Sequence, residues 1–184
     1  MGEKKRKLRG CKVAARSRKN IRECASGFRS YIAQMGISSD GELLERLMYS
    51  GLLDVVPDND ERLGLAEACY VPNDRCVYLR DSDYRGVVLG TNPRSKFTFW
   101  HEIGHMCLGH DKKFARDASG EIAEHQAYED SEWQANQFAA EMLMPLEEIR
   151  KMRDVSPGVV AKEFGVSYEA AEIRIRNLMK YGEI

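Results

Sequence analysis

The segment H-E-I-G-H at residues 101–105 constrains the fold of this chain more than any other feature. His101 and His105 are four residues apart, so on a helix they project from one face at a spacing that suits a single zinc ion. Glu102 lies about 100° around the helix from His101, where a carboxylate can act as a general base without binding the metal. The segment therefore predicts a zinc helix with two histidine ligands and Glu102 as the catalytic base.

The residues around this motif predict that the zinc helix is buried. Apolar side chains cover most of its other directions, and a helix that is apolar all round lies in a protein core. They are Phe97, Phe99, Trp100, Ile103, Met106, Cys107 and Leu108. Two imidazoles on a buried helix favour a metal site over a chance match. His110 does not complete the metzincin pattern, which requires Gly at position 108 and His at 111. The third ligand must therefore come from another segment.

A second helix, from about Asp130 to Pro145, is predicted to supply that ligand. At about 100° per residue, Glu132 shares a face with small and apolar residues, which permit close approach to the zinc helix. These residues are Ala135, Asn136, Ala139 and Leu143, whereas Gln134, Gln137 and Glu141 are predicted to point the other way. A buried carboxylate is costly unless it is paired or bound to a metal, which favours Glu132. Glu129, about 60° away on the same face, is the alternative.

The two motifs together resemble the ImmA/IrrE family of zinc metallopeptidases. H-E-I-G-H-M-C-L-G-H at residues 101–110 is followed by E-W-Q-A-N-Q-F-A-A-E-M-L-M-P at residues 132–145. The resemblance is strongest over residues 95–145 and extends over residues 65–178. It implies a minimal gluzincin that cleaves a repressor or another regulatory protein.

The resemblance also implies a role for each matching residue. His101, His105 and Glu132 would bind Zn²⁺, and Glu102 would be the base. Gln134 departs from the pattern, because many relatives have a second acid there; if that acid were the true ligand, this protein would be a weakened or inactive enzyme. The residue that stabilises the oxyanion is not identified, and the candidates in sequence are His110, His125 and Tyr84.

The composition is typical of one soluble globular domain. With 184 residues, 43% of them hydrophobic and 31% charged, the chain is long enough for one hydrophobic core. It contains no apolar run near the roughly 20 residues of a membrane span and no apolar secretory signal. The five cysteines include no C-x-x-C pair. We therefore expect a cytoplasmic protein without a disulfide framework and without a membrane partner.

The beginning of the chain is strongly basic. Residues 1–22 carry ten Lys or Arg and one acidic residue. Such a segment can contact nucleic acid or an acidic protein, but it has no aromatic residue for base stacking, and most charge runs of this kind are solvated. We assign residues 1–20 to a flexible arm that is dispensable for the metal site, and residues 21–184 to the peptidase domain.

The remaining periodicity predicts an α+β fold of the minimal zincin type. Apolar residues recur at intervals of three and four in two helices, residues 21–35 and 39–50. Extended patterns at residues 65–71, 76–80 and 86–89 predict a small, mostly antiparallel sheet, whose edge can align an extended peptide. The polar residues 111–126 predict a mobile loop at the mouth of the site.

Residues 146–184 predict a helical hairpin that packs on the domain. Its outline also fits a helix-turn-helix, with a turn at Gly165 and a second helix capped by Ser167. The first turn of that second helix carries two acids that DNA phosphates would repel, and the arginines come later; these are Glu169, Glu172, Arg174 and Arg176. Two alternative functions follow: a DNA-binding regulator that uses the arm and this tail, and a zinc-binding module without catalysis.

Overall fold

The computed structural model describes residues 10–61, 63–110 and 125–184, which form an α+β fold. The helices in these ranges are α1 (Arg18–Gln34), α2 (Asp40–Tyr49), α3 (Asp81–Val88), α4 (Pro93–Cys107), α5 (Ser131–Leu143), α6 (Leu146–Ile149), α7 (Pro157–Phe164) and α8 (Tyr168–Lys180). The strands are β1 (Leu53–Val56), β2 (Ala68–Val71) and β3 (Cys76–Arg80), and a 3-10 turn at Ala127–Glu129 precedes α5. The predicted fold class and the minimal zincin layout are confirmed. The predicted mobile loop falls almost wholly on residues 111–124, outside the described ranges.

The three strands form one mixed sheet in the order β1-β3-β2. β1 runs parallel to β3, with Leu53 opposite Val77, and β2 runs antiparallel to β3, with Ala68 opposite Leu79. The expectation of a mostly antiparallel sheet is therefore corrected to one pairing of each kind. β2 lies at an edge of this sheet, beside α4.

The strand predicted at residues 86–89 is wrong, because these residues lie in α3 and its C-cap. The run Val-Val-Leu resembles a strand in isolation, but two acids in the preceding turn favour a helix start. Packing then favours the helix, because Gly86 lies against α4, where a Cβ would be 2.8 Å from Ser95 Oγ. The sheet takes β1 as its third strand, which the sequence reading missed because it is only four residues long.

The predicted ends of the first two helices are confirmed. Gly36 and Gly51 follow α1 and α2 with φ of 70° and 71°, a left-handed conformation that favours glycine. At its start, α2 is capped by Ser39, whose side chain accepts a hydrogen bond from the Glu42 N–H at 3.2 Å. Local turn chemistry therefore determines where these helices stop.

The helix α4, the predicted zinc helix, lies at the centre of the fold. It packs on α5 along one side and on α3 and the sheet along another. Phe99, Ile103 and Phe138 are fully buried between these layers. At Gly104 the two helices approach closely, because a Cβ there would lie 3.2 Å from Ala135 O. The small residues predicted on this contact are thus what allows α5 to bring its side chains to α4.

A buried ion pair joins the C-terminal helices to α5. Arg174 Nη2 lies 2.9 Å from Glu141 Oε2, and these side chains are only 2% and 3% exposed. The same guanidinium donates a hydrogen bond to Met144 O. Glu141 was expected to point away from the core, and that expectation is wrong. Both faces of α5 are buried, one against α4 and the other against α1 and the tail.

Among the described helices, none is both long and apolar enough to cross a bilayer.

The residues just before α1 pack against the start of α5. We call residues 10–17 the N-terminal segment. Its backbone bonds to the 3-10 turn and α5, with Val13 N–H donating to Glu129 O at 2.8 Å and Ser131 N–H donating to Cys11 O at 3.0 Å. The flexible arm predicted for residues 1–20 therefore does not extend over residues 10–20, which are held in this segment and in α1.

Candidate metal centre

The three predicted ligands converge on one point. His101 Nε2 and His105 Nε2, one helical turn apart on α4, lie 3.0 Å from each other. Glu132, in the first turn of α5, places Oε2 at 3.2 Å from His101 Nε2 and Oε1 at 3.3 Å from His105 Nε2. Within the described residues, this is the group of His, Cys, Asp and Glu side chains whose donor atoms are close enough to share a metal ion.

The spacing and chemistry of this group fit zinc. Tetrahedral coordination with Zn–N distances of about 2.0–2.1 Å sets neighbouring ligand atoms roughly 3.3 Å apart. The three separations here are 3.0, 3.2 and 3.3 Å. Two imidazoles with one carboxylate are also a donor set that catalytic zinc uses, with a fourth position left for water or substrate.

The charges of the cluster favour a cation at the meeting point. Burial lowers the pKa of His101, but the hydrogen bond with Glu132 and the charges of Glu102 and Glu132 outweigh this effect and raise the pKa overall. Conversely, hydrogen bonds from His101 and His105 hold the pKa of Glu132 well below its usual range. Both shifts have the sign expected where positive charge is stabilised.

Glu132 lies on the face of α5 that approaches α4, as the helical periodicity predicted, but its side chain is less buried than expected. The Glu132 side chain is 40% exposed, whereas those of His101 and His105 are 14% and 13% exposed. The carboxylate therefore lies towards the mouth of the site and is not forced to pair by burial. What places it is the first turn of α5, which begins beside the two histidines.

Both histidine rings are held from behind, through the nitrogen that faces away from the meeting point. His101 Nδ1 lies 3.2 Å from Asn136 Oδ1, one turn along α5 from Glu132. His105 Nδ1 lies 2.9 Å from His110 Nδ1. Outer partners of this kind orient a metal-binding imidazole and increase its basicity. The sequence placed Asn136 on the correct face but did not assign it this contact.

Gln134 lies behind the three predicted ligands, and its side chain does not join them. Its Oε1 is 3.0 Å from His110 Nε2. His110 is buried, and burial lowers the pKa of its imidazole to about 4. In this chain the departure from the family pattern therefore falls on a residue that supports His105 through His110.

Glu102 faces the same cleft without joining the converging donors. Its Oε2 accepts a hydrogen bond from the backbone N–H of Tyr70, on β2, at 2.7 Å. This position suits a base, which has to reach the cleft but leave the metal to other ligands. The contact with Tyr70 had no signal in the sequence, because it depends on where β2 lies relative to α4.

The cleft runs between the edge strand and the start of α5. Its walls are β2 on one side and the N-terminal segment with α5 on the other, and its lining is Cys11, Ala68, Cys69, Tyr70, Pro72, His101, Glu102, His105, His110, Ser131 and Glu132. Glu67 O accepts from Arg80 N–H within the sheet, and Tyr70 N–H points outward to Glu102. Because backbone direction alternates along a strand, Ala68 and Tyr70 present their polar groups to the cleft.

The other candidates from the sequence lie in structural contacts. Glu129 accepts a hydrogen bond from Gln126 N–H and pairs with Lys12, so it caps the 3-10 turn. Both ring nitrogens of His110 are engaged, and His125 Nε2 lies 2.9 Å from Asp130 Oδ2. Tyr84 packs against the hydrophobic core. These contacts therefore support none of the three, His110, His125 or Tyr84, as the group that stabilises an oxyanion.

The N-terminal segment packs directly against Glu132, the predicted third ligand. Gly10 N–H donates to Asp130 Oδ2 at 3.0 Å, and a Cβ at Gly10 would lie 2.9 Å from Glu132 Cγ. Only glycine fits so close to this carboxylate. The basic composition of residues 1–22 gave no indication of this contact, since a single glycine carries little pattern.

We expect deletion of residues 1–9 to leave zinc affinity unchanged and deletion of residues 1–17 to lower it by about 10–100-fold, as for other outer-shell losses. The longer deletion removes the contacts of the N-terminal segment with Glu132, Asp130 and Gln134. Competition with a chromophoric chelator measures the affinity, and circular dichroism checks the fold. Equal affinity in both truncated proteins would show that the segment does not support the site.

The comparison with protein families is consistent with this geometry. A family model described as Peptidase_M78, IrrE N-terminal-like domain, matches residues 78–176. The matched span covers more than half of the chain, includes α4 and α5 and ends in α8. No curated protein matches the chain.

Proposed function

The chain belongs to the Peptidase_M78 family, as the sequence motifs indicated, and we propose that it is a zinc-dependent endopeptidase that cleaves a regulatory protein such as a transcriptional repressor. Membership of a peptidase family implies a protein substrate. The observation that carries the zinc assignment is the convergence of two imidazole nitrogens and a carboxylate within 3.0 to 3.3 Å. The regulatory target is supported by the resemblance to ImmA/IrrE proteins.

In this proposal His101, His105 and Glu132 hold the metal. When bound, Zn²⁺ supplies Lewis acidity, which polarises a carbonyl and makes water a stronger acid. Glu102 takes a proton from the attacking water and passes it to the leaving amine. Its hydrogen bond to Tyr70 N–H, at 2.7 Å, keeps the carboxylate in the cleft while this happens.

The substrate is proposed to bind as an extended segment. The outward backbone groups of Ala68 on β2 can pair with such a segment, as peptides add to exposed sheet edges elsewhere, while the Tyr70 N–H stays bonded to Glu102. The edge lies beside Glu102, so pairing there would bring the scissile bond to the base. A cytoplasmic setting is part of the proposal and is supported by the five cysteines, none of which forms a disulfide.

Three of the arginines on which the DNA-binding alternative depends are engaged within the protein. In the tail, Arg174 is buried against Glu141. At the start of the chain, Arg16 donates to Leu108 O, and Arg22 pairs with Glu141 and Glu183. These guanidinium groups stabilise the fold and are not presented to a phosphate backbone.

Mapping of new peptide ends tests the proposed function. The zinc-loaded protein is incubated with an extract of the source cells, and new N-termini are compared with those of a chelator-treated sample and of the same sample after zinc is restored. We expect a small set of new termini that disappears on chelation and returns with zinc. If zinc-loaded protein produces no new termini, the chain is better described as a zinc-binding module without catalysis.

A further inference from the structure

We propose that Gln134 and His110 form a hydrogen-bond relay that sets the tautomer and orientation of His105. The relay begins at the backbone carbonyls of Ala14 and Tyr128 and ends at His105 Nδ1. The inference concerns how a ligand is positioned, and it rests on the proposed role of His105 in binding zinc. Neither Gln134 nor its backbone anchors touch the three converging donor atoms.

The first step is the orientation of the Gln134 amide. The side chain is fully buried, and its Nε2 lies 2.8 Å from both Ala14 O and Tyr128 O. A backbone carbonyl oxygen can only accept a hydrogen bond, so the atom facing two of them has to be the NH₂ group. Both amide hydrogens are then used, and the other terminal atom, Oε1, is only an acceptor.

The second step assigns the hydrogens of His110. Its Nε2 lies 3.0 Å from Gln134 Oε1. Because Oε1 cannot donate, Nε2 has to carry a hydrogen and donate it. His110 is only 6% exposed, and burial favours the neutral imidazole, which has a single N–H. His110 Nδ1 is therefore an acceptor.

The third step reaches the metal ligand. His105 Nδ1 lies 2.9 Å from His110 Nδ1, so the His105 nitrogen is the donor of this pair. His105 therefore carries a hydrogen on Nδ1, and in the neutral ring the lone pair of Nε2 is directed at His101 and Glu132. This is the tautomer that binds a metal through Nε2, and it is reached from the far end of the relay without reference to any metal.

The relay makes the two histidines depend on different parts of the fold. His101 is held by one amide, that of Asn136, within the α4–α5 pair. His105 is held through two further side chains, whose last contacts are the N-terminal segment and the 3-10 turn. A change at Gln134 should therefore reach the metal through His105 while leaving the partner of His101 in place.

The direct test is the tautomer of His105 in the unsubstituted, metal-free protein. Long-range ¹H–¹⁵N correlation spectra at mildly alkaline pH distinguish an imidazole protonated at Nδ1 from one protonated at Nε2. We expect His105 to carry its hydrogen on Nδ1 and His110 to carry its hydrogen on Nε2. The opposite assignment for either ring would overturn the relay, and this measurement needs no variant that has to fold.

The second test uses Gln134→Met, which keeps the length of the side chain and removes its amide. We expect a mixture of His105 tautomers and a loss of Zn²⁺ and Co²⁺ affinity of about 10–100-fold, the usual effect of losing an outer partner. Gln137→Met makes the same change three residues later on α5, outside the relay, and should leave both readouts unchanged. Equal metal affinity and an unchanged tautomer in the two variants would overturn the inference.

A pair of substitutions at His110 tests whether the acceptor itself matters. His110→Phe keeps a ring but removes the acceptor, whereas His110→Asn can place an amide oxygen where Nδ1 was. We expect His110→Asn to retain more affinity for Co²⁺, and a Co²⁺ spectrum closer to that of the unsubstituted protein, than His110→Phe. Equal loss in both folded variants would count against the relay. If the unsubstituted protein binds neither metal, the proposed function fails, while the tautomer measurement still judges the relay separately.

Discussion

Replacing Glu102 by glutamine should leave zinc near one per chain and reduce cleavage by at least about 10²- to 10⁴-fold, the range typical of a positioned general base. Glutamine keeps the size of the side chain, and its amide oxygen can still accept from Tyr70 N–H. It cannot take up a proton, so the chemical step loses its base. Zinc content and single-turnover cleavage of a substrate found by mapping peptide ends provide the measurement.

A matched substitution controls for the removal of one negative charge. Glu163→Gln makes the same change at an exposed position of α7 that does not line the cleft. This variant should cleave at the rate of the unsubstituted protein. If the Glu102→Gln protein cut a physiological substrate as fast as this control, a contaminating protease would be examined first. Equal cleavage after further purification would remove the basis for a peptidase that uses Glu102.

Replacing Glu132 by alanine should lower zinc affinity by more than about 100-fold, because even outer partners of a metal ligand are commonly worth 10–100-fold. The substitution leaves two imidazoles, His101 and His105, to hold the ion. Glu129→Ala is the control from the preceding turn. Its carboxylate bonds to Gln126 N–H and pairs with Lys12, so zinc binding should be retained. Competition titration with a chelator compares the two proteins.

The reverse order of affinities would identify Glu129 as the ligand and show that the start of α5 rearranges when metal binds. Equal retention in both variants would instead direct attention to His125 or to the residues before it, such as Glu124. Circular dichroism belongs with each titration, because Glu129 also caps the 3-10 turn and its loss is expected to cost about 0.5–2 kcal/mol of stability.

Sequence alone determined those features that depend on neighbours in the chain. His101 and His105 are four residues apart, a spacing that places two imidazoles on one face of any helix that forms there. The apolar residues around them indicate that such a helix packs in the core. Caps and glycines such as Ser39 and Gly51 determined where helices begin and end. The same helical geometry put Asn136 on the face of Glu132, although not its role.

Tertiary structure decided the features whose partners are remote in sequence. Residues 86–89 have strand-like side chains, but they form a helix because Gly86 packs against Ser95 on α4. Burial of both faces of α5 could not be read from its periodicity either, since Glu141 is paired with Arg174 from the tail. Propensity and pattern describe one segment at a time, whereas burial is decided by what packs on it.

The residues that hold the candidate metal centre in place are also determined by tertiary structure. Gly10 and Asp130 are 120 residues apart, as are Ala14 and Gln134, yet both pairs are hydrogen-bonded beside the cleft. Hydrogen bonds between residues so far apart leave no periodic pattern in the sequence. The basic composition of residues 1–20 therefore suggested a flexible arm, whereas residues 10–17 form one wall of the cleft. The sequence by itself determined which side chains can bind a metal, because the spacing of residues along a helix fixes which of them share a face. The tertiary structure decided which residues hold those side chains in position, because those contacts come from the packing of segments that are distant in sequence.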